Sequence, residues 1–355
     1  MKADFMTRSQ LKLIPIVLLT VMQVLGSAGV GRSGIPELIP LLKDSSASVR
    51  WNAADELAKI GKSAIPYLIP LLKGSDKDVR SSAASALGNM GESAKVAIPD
   101  IIPLLKDSDK DVRLSAALAL GRMGGSAKVA IPDIIPLLKD PDKDVRLSAT
   151  VALGSIGESA KLAIPDLILL LKDQNSGVRS SATVALGSMG ESAKTAIPDL
   201  ILLLKDPDSG VRSFATLALG RMGESAKVAI PNLILLLKDP DEGFPWMATL
   251  TLGSMGEVAV PDLIPLLKDQ DNWVRWRAAD TLGSMGESAK VAIPDLILLL
   301  KDPDSRVRSH AASALWFIGE SAKVAIPNLI PLLKDPDINV RLAAAQTLKK
   351  LGYKL

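Results

Sequence analysis

The sequence predicts an all-α solenoid of about ten two-helix repeats, and three observations predict it. An apolar-Pro dipeptide opens a run like Ile-Pro-Asp-Leu-Ile-Pro-Leu-Leu-Lys-Asp ten times, its first residue falling at Ile35, Ile65, Ile98, Ile131, Ile164, Ile197, Ile230, Val260, Ile293 and Ile326. Successive spacings are 30, 33, 33, 33, 33, 33, 30, 33 and 33, a fixed period at which no single unit buries its own apolar face. With 48% hydrophobic residues but only 3% aromatic ones, the core must be Leu, Ala, Ile, Val and Met, which suits closely stacked helices rather than strands.

At the N-terminus, Lys2, Arg8 and Lys12 precede an apolar run from Leu13 to Leu25, followed by Gly26, Ser27 and Ala28. That order reads as a secretory signal with Ala28 just before the cleavage point, and the run is too short to span a bilayer. The alternative is a helix that caps the first repeat. Pro15 and the lack of charge argue against it, since a cap needs a polar outer face. Residues 1–28 are therefore a signal peptide or a capping helix, and 29–355 form one solenoid whose copy at 230–259 is irregular. The protein is exported or periplasmic in the first case and cytoplasmic in the second.

The copy from Ile98 to Ala130 shows how a repeat is built. Pro99 stands at an early helical position, where its missing N–H costs nothing. Ile101, Ile102, Leu104 and Leu105 supply the apolar face of a first helix, which ends in Lys106-Asp107-Ser108-Asp109. Asp109 is placed to cap a second helix from about Asp111 to Met123. Val112, Ala116, Ala119, Leu120 and Met123 form one stripe at helical period along it. Gly124 and Gly125 stop it, and Ser126-Ala127-Lys128 leads by a short turn to the next Ile-Pro.

Comparing the copies separates core from surface. The third residue after the arginine of each Val-Arg pair is alanine, from Ala53 to Ala344, and the seventh is leucine, from Leu57 to Leu348. An invariant small residue marks close approach of neighbouring helices. The first and fifth residues vary and lie opposite the core stripe, so they face outward.

Two-helix units reading Leu-Leu-Lys-Asp-x-Asp-x-x-Val-Arg-x-x-Ala-x-x-Ala-Leu-Gly resemble HEAT repeats, and are most similar to the sub-type of phycobilisome lyases of the E and F kind and of bacterial scaffold proteins. The resemblance covers about Ile35 to Leu355. It implies a right-handed superhelix whose second helices line a concave face. It also implies an Asp and Arg ladder, here Asp44, Asp107, Asp140, Asp173, Asp206, Asp239, Asp269, Asp302 and Asp335 with Arg50, Arg80, Arg113, Arg146, Arg179, Arg212, Arg275, Arg308 and Arg341. Gly74 breaks the acidic series and Pro245 the basic one. The ladder reads as structural, stitching turn to turn.

Catalytic chemistry finds little support. The 42 basic and 39 acidic residues alternate without a basic block, which disfavours nucleic acid or an anionic membrane as partner. Zero cysteines remove disulfides and thiolate chemistry. The lone His310 cannot build the His-Glu pairs of HEAT-type di-iron hydroxylases, and no serine stands on a Gly-x-Ser-x-Gly elbow. Trp51 with Asp55 and Trp276 with Asp280 resemble the aromatic and acidic site of HEAT-like DNA glycosylases, but the basic groove those proteins need is missing. The reading is of a non-enzymatic protein with no cofactor and no metal site.

Tryptophan is what distinguishes the copies. Trp51, Trp246, Trp273, Trp276 and Trp316 all belong to second helices, and Trp246 and Trp276 hold the same outward position in consecutive repeats. Trp273 lies one turn before Trp276, with Arg277 beside it; exposed Trp and Arg anchor protein interfaces. The concave face is expected to carry an apolar strip through Leu114, Leu118, Leu147, Val151, Val184, Leu217, Trp246 and Leu250, along which a helix or extended segment of a protein partner lies. Trp51, Trp273, Trp276 and Arg277 complete this expected groove. The function expected is a binding scaffold, monomeric or heterodimeric, with no nucleic acid and no integral membrane span. The alternative, from the resemblance, is a subunit of a phycobilin lyase or a phycobiliprotein chaperone.

The copy between Ile230 and Val260 lacks three residues and reads Glu242-Gly243-Phe244-Pro245 where others carry Val-Arg. Proline disfavours helix before it, so this second helix is expected to start late and the ladder to lose a link. The stack should bend there and set Trp246, Trp273, Trp276 and Arg277 in a local concavity.

Overall fold

The computed structural model describes residues 34–239 and 243–354. The N-terminal segment 1–28 and Glu242 lie outside the described residues. Every regular element described is helical. The chain groups into two compact units, one ending at Ala163 and the other beginning at Ile164.

We number the second helices of the repeats in chain order. The first unit holds α1 (Ala47–Ile60), α2 (Lys77–Asn89), α3 (Lys110–Arg122) and α4 (Lys143–Ile156). The second holds α5 (Ser176–Ser188), α6 (Ser209–Arg221), α7 (Gly243–Met255), α8 (Asn272–Ser284), α9 (Ser305–Ile318) and α10 (Ile338–Lys350). Within each unit every second helix packs on the next.

The local signals act largely as the sequence implies. Asp109 caps α3 by accepting the Asp111 backbone N–H at 2.9 Å. Gly124, at φ 56°, ends that helix in the left-handed region. The expected short turn after it is instead a 3₁₀ segment, Gly124–Ala130, and the short copies shorten this segment to Gly61–Ala64 and Gly256–Ala259. The first helices divide into two kinds. Where a second proline follows, as at Pro103, the missing N–H breaks the α-helix after Ile98–Ile101 and the chain continues as 3₁₀ to Lys106. Where leucine replaces it, as at Leu169, the helix runs unbroken over Ile164–Leu170.

The core follows the invariant positions. The seventh residue after the arginine position, from Leu57 to Leu348, is fully buried in every copy, and the alanine at the third is no more than 2% exposed. Close approach is enforced by Gly121, whose added Cβ would stand 2.6 Å from the Ala152 Cα.

The ladder stitches each unit. Arg80 on α2 donates to both carboxylate oxygens of Asp107, at 2.8 and 3.0 Å, and through Nη1 to the carbonyls of Gly74 and Ser75. One guanidinium thus closes its own repeat's turn and grips the next. Arg113 with Asp140, Arg179 with Asp206, Arg275 with Asp302 and Arg308 with Asp335 repeat this geometry. The Arg308 guanidinium holds the Asp335 carboxyl below its ordinary range against the opposing effect of burial. Where Gly74 interrupts the acids, Arg50 turns to Asp78 at 3.6 Å.

The stretch Gly243–Lys268 is long and apolar enough to cross a membrane by composition. It is not one straight rod: Gly256, at φ 66°, separates α7 from the next first helix, Val260–Leu263, and Leu252 and Leu263 are fully buried against their neighbours.

Candidate functional site

No residue at the first or fifth position of any second helix is buried. In the first unit Trp51 is 63% exposed and Val151 is also exposed, while Leu114, Leu118 and Leu147 are half-buried. In the second unit Val184, Leu217 and Leu250 are exposed, Trp246 is 65% exposed and Trp273 41%, and Trp276 is half-buried. Arg277 departs from expectation. It is only 9% exposed, because its helix turns it inward, where Nη1 donates to the Leu237 carbonyl at 2.7 Å.

That inward turn is explained by the irregular repeat. Arg80, Arg113, Arg179, Arg275 and Arg308 each bond the turn carbonyls of their own repeat and the aspartate of the next; Pro245 can do neither. Arg277, reaching back from α8, bonds the end of the preceding first helix at Leu237 instead. Lys238 bonds Asp269 at 2.8 Å and holds that carboxyl below its usual range, together with the Asp271 backbone N–H. In regular copies the matching lysine pairs instead with the aspartate after the next Ile-Pro, as Lys106 does with Asp133. The missing arginine is replaced by two borrowed cations. Helix α7 is described from Gly243, two residues before Pro245, where the other second helices begin three residues before the arginine. Gly243 and Phe244 are already helical, and Pro245 is accommodated in the first turn, where backbone N–H groups have no helical acceptor. Phe244 takes the buried place of the usual valine, with the Arg212 guanidinium 4.7 Å from its ring centroid.

Beside this seam lies a cavity of about 490 Å³. Pro245, Trp246 and Thr249 of α7 form one wall; Trp273, Trp276, Arg277 and Asp280 of α8 the second; Arg306 and His310 of α9 the third. The Trp273 and Trp276 rings meet at 5.8 Å between centroids and 53° between planes. The Arg306 guanidinium lies 4.8 Å from the Trp273 centroid and 5.9 Å from that of Trp276; Arg277 lies 5.2 and 5.4 Å from them. Such cation–π contacts fix both the rings and the charges. His310 stacks on Trp276 at 4.7 Å, and its Nδ1 is 2.8 Å from the Asp280 carboxylate. The indole Nε1 of Trp276 is buried without an acceptor among the described residues.

The sequence-derived set thus contributes Trp246, Trp273, Trp276 and Arg277 to one cavity. The strip residues Val184, Leu217 and Leu250 do not line it, and the first unit's Trp51, Leu114, Leu118, Leu147 and Val151 stand on their own unit's second helices. Arg306, His310, Asp280, Thr249 and Pro245 were missed as members of the site. The signal was in the register: Trp273 and Arg306 occupy one position in consecutive repeats, as do Arg277 and His310, both pairs 33 residues apart.

A family model of HEAT repeats matches residues 35–99, 65–134, 98–187, 164–234, 230–316 and 293–354. No curated protein matches the chain. Among solved structures, an engineered protein is 25% identical, with a TM-score of 0.52 over 90% of this chain and 99% of that one. Kap121p bound to Nup53p is 17% identical, with a TM-score of 0.60, over 90% of this chain and 41% of its own. Importin beta is 15% identical, with a TM-score of 0.65, over 98% of this chain and 54% of its own. The chain therefore spans about half or less of the Kap121p and importin beta chains and shares their fold. With family-model matches running from Ile35 to the end of the tenth repeat, the chain belongs to the HEAT-repeat family.

Proposed function

We propose that the protein is a non-enzymatic scaffold that binds a protein partner along the outward face of its second helices, with the aromatic cavity of α7, α8 and α9 as the anchor. One observation carries this reading: Trp246 and Trp273 leave large ring areas in water beside a formed cavity, although the rest of the core is built almost without aromatics. Exposed tryptophan beside arginine is the composition of interface hot spots. Karyopherins of similar fold have been solved with protein partners, Kap121p with Nup53p and with Pho4p among them, which supports a protein as the ligand. Each unit's own second helices supply further apolar surface, Val184, Leu217 and Leu250 in the second unit and Trp51, Leu114, Leu118, Leu147 and Val151 in the first.

Affinity capture from the native host, repeated with Trp246→Ala/Trp276→Ala, tests the reading. The double variant is expected to weaken the captured complex by several kcal/mol, whereas Trp51→Ala costs much less. Equal losses at all sites, or none with helical content unchanged, would mean that the tryptophans only patch a damaged repeat. The lyase-subunit reading rests on repeat type alone. Bilin absorbance after co-expression with a phycobiliprotein and a bilin source would establish it.

A further inference from the structure

The cavity's electrostatics narrow the partner's chemistry. Two guanidinium groups stand within 6 Å of both indole centroids, so the aromatic faces that a cationic side chain would need are already taken by like charge. Their engagement differs. Arg277 is buried and bonded to the Leu237 carbonyl, so it fixes the wall. Arg306 is exposed, and among the described residues its guanidinium has ring contacts but no carboxylate within 4 Å. Elsewhere in the unit, Arg179, Arg275 and Arg308 end on aspartates. The one carboxylate on the cavity wall, Asp280, is held by His310. The Trp276 indole N–H is buried and has no acceptor among the described residues.

We infer that this cavity, as the anchor of the protein-binding reading on which the inference rests, receives a carboxylate flanked by a large apolar side chain. The carboxylate pairs with Arg306 in a two-point hydrogen bond and the apolar group lies against Trp246 and Trp273. The volume of about 490 Å³ holds one or two side chains, not a folded domain. The carboxylate comes from a chain's C-terminus or from an Asp or Glu beside an aromatic or aliphatic residue.

Tryptophan fluorescence of the full chain, titrated with four Trp-free hexapeptides, tests this. The probes are Gly-Ser-Gly-Ser-Phe-Leu with a free carboxylate, the same peptide amidated, Gly-Ser-Glu-Phe-Leu-Gly amide and Gly-Ser-Lys-Phe-Leu-Gly amide. At least one carboxylate peptide should bind ten-fold or more tighter than the lysine peptide. The free acid winning over its amide identifies a C-terminus; the glutamate peptide winning identifies a side chain. Arg306→Gln should abolish the preference while far-UV circular dichroism stays unchanged, and Tyr67→Ala, at an exposed position on a first helix of the other unit, should leave it intact. A tighter lysine peptide, equal binding by all four, no binding by any, or an unchanged preference in Arg306→Gln overturns the inference. If the peptides fail while the Trp246→Ala/Trp276→Ala variant still loses its captured partner, only the carboxylate falls. If that variant keeps its partner, the site reading itself falls.

Discussion

Arg113 makes charge-assisted bonds to Asp140 and to two backbone carbonyls in a nearly closed setting, so its removal strands a shielded carboxylate and two acceptors. Arg113→Ala is expected to destabilise the chain by about 2–4 kcal/mol, read from urea unfolding. At Gly121 two effects oppose. Alanine gains about 1 kcal/mol of helix propensity, but a Cβ 2.6 Å from the Ala152 backbone demands a shift costing about 1–3 kcal/mol. Overpacking wins, and Gly121→Ala should lower stability; an increase would contradict the close approach. Acid should loosen the ladder. Burial pushes the Asp206 carboxyl up, but the Arg179 guanidinium and the Asp208 backbone N–H together push it down further, and Asp335 is also held low. A depressed carboxyl contributes stability that is complete above its unfolded value near 3.9 and is lost as pH falls through the lower folded value. Stability should therefore hold from pH 7 to about 4 and drop below it, and the drop should shrink in Arg308→Met.

At the scale of the repeat, the irregular copy shows how far a sequence can be read. Caps, stops and the buried stripe were legible because they depend on residues adjacent in the chain: Asp109 and its N–H partner are two positions apart, and Gly124 acts on its own backbone. The paired burial of Ala and Leu was legible because ten copies report it. The fate of Arg277 was not. Its inward turn answers a vacancy 32 residues earlier, at Pro245, and only the geometry of neighbouring helices links the two. Lys238 follows the same logic. Removing it should cost roughly 0.5–1 kcal/mol as a partly exposed ion pair, and a double-mutant cycle should show that cost vanishing in a Pro245→Arg background, where an arginine resumes the contact with Asp269. A cost unchanged by Pro245→Arg would mean that Lys238 does not stand in for the missing link. Four of the nine residues lining the cavity were legible, Trp246 on α7 and Trp273, Trp276 and Arg277 on α8. The third wall, Arg306 and His310, required matching registers across repeats.

For the whole molecule, contacts within a repeat and to its nearest neighbours are nearly all that hold it, so stability is a sum over units and interfaces rather than one cooperative core. The ends have one neighbour each, and the seam at Pro245 keeps its links only through borrowed cations. The central claim is that this weakened seam and the binding anchor are the same place. Hydrogen exchange followed by mass spectrometry, on the chain alone and on the chain with its captured partner, tests that claim most directly. The account predicts lowest protection in the terminal repeats and around residues 239–260 in the free chain, with the largest gain on binding in α7, α8 and the first turns of α9. Uniform protection along the free chain, or a gain confined to other repeats, would contradict it.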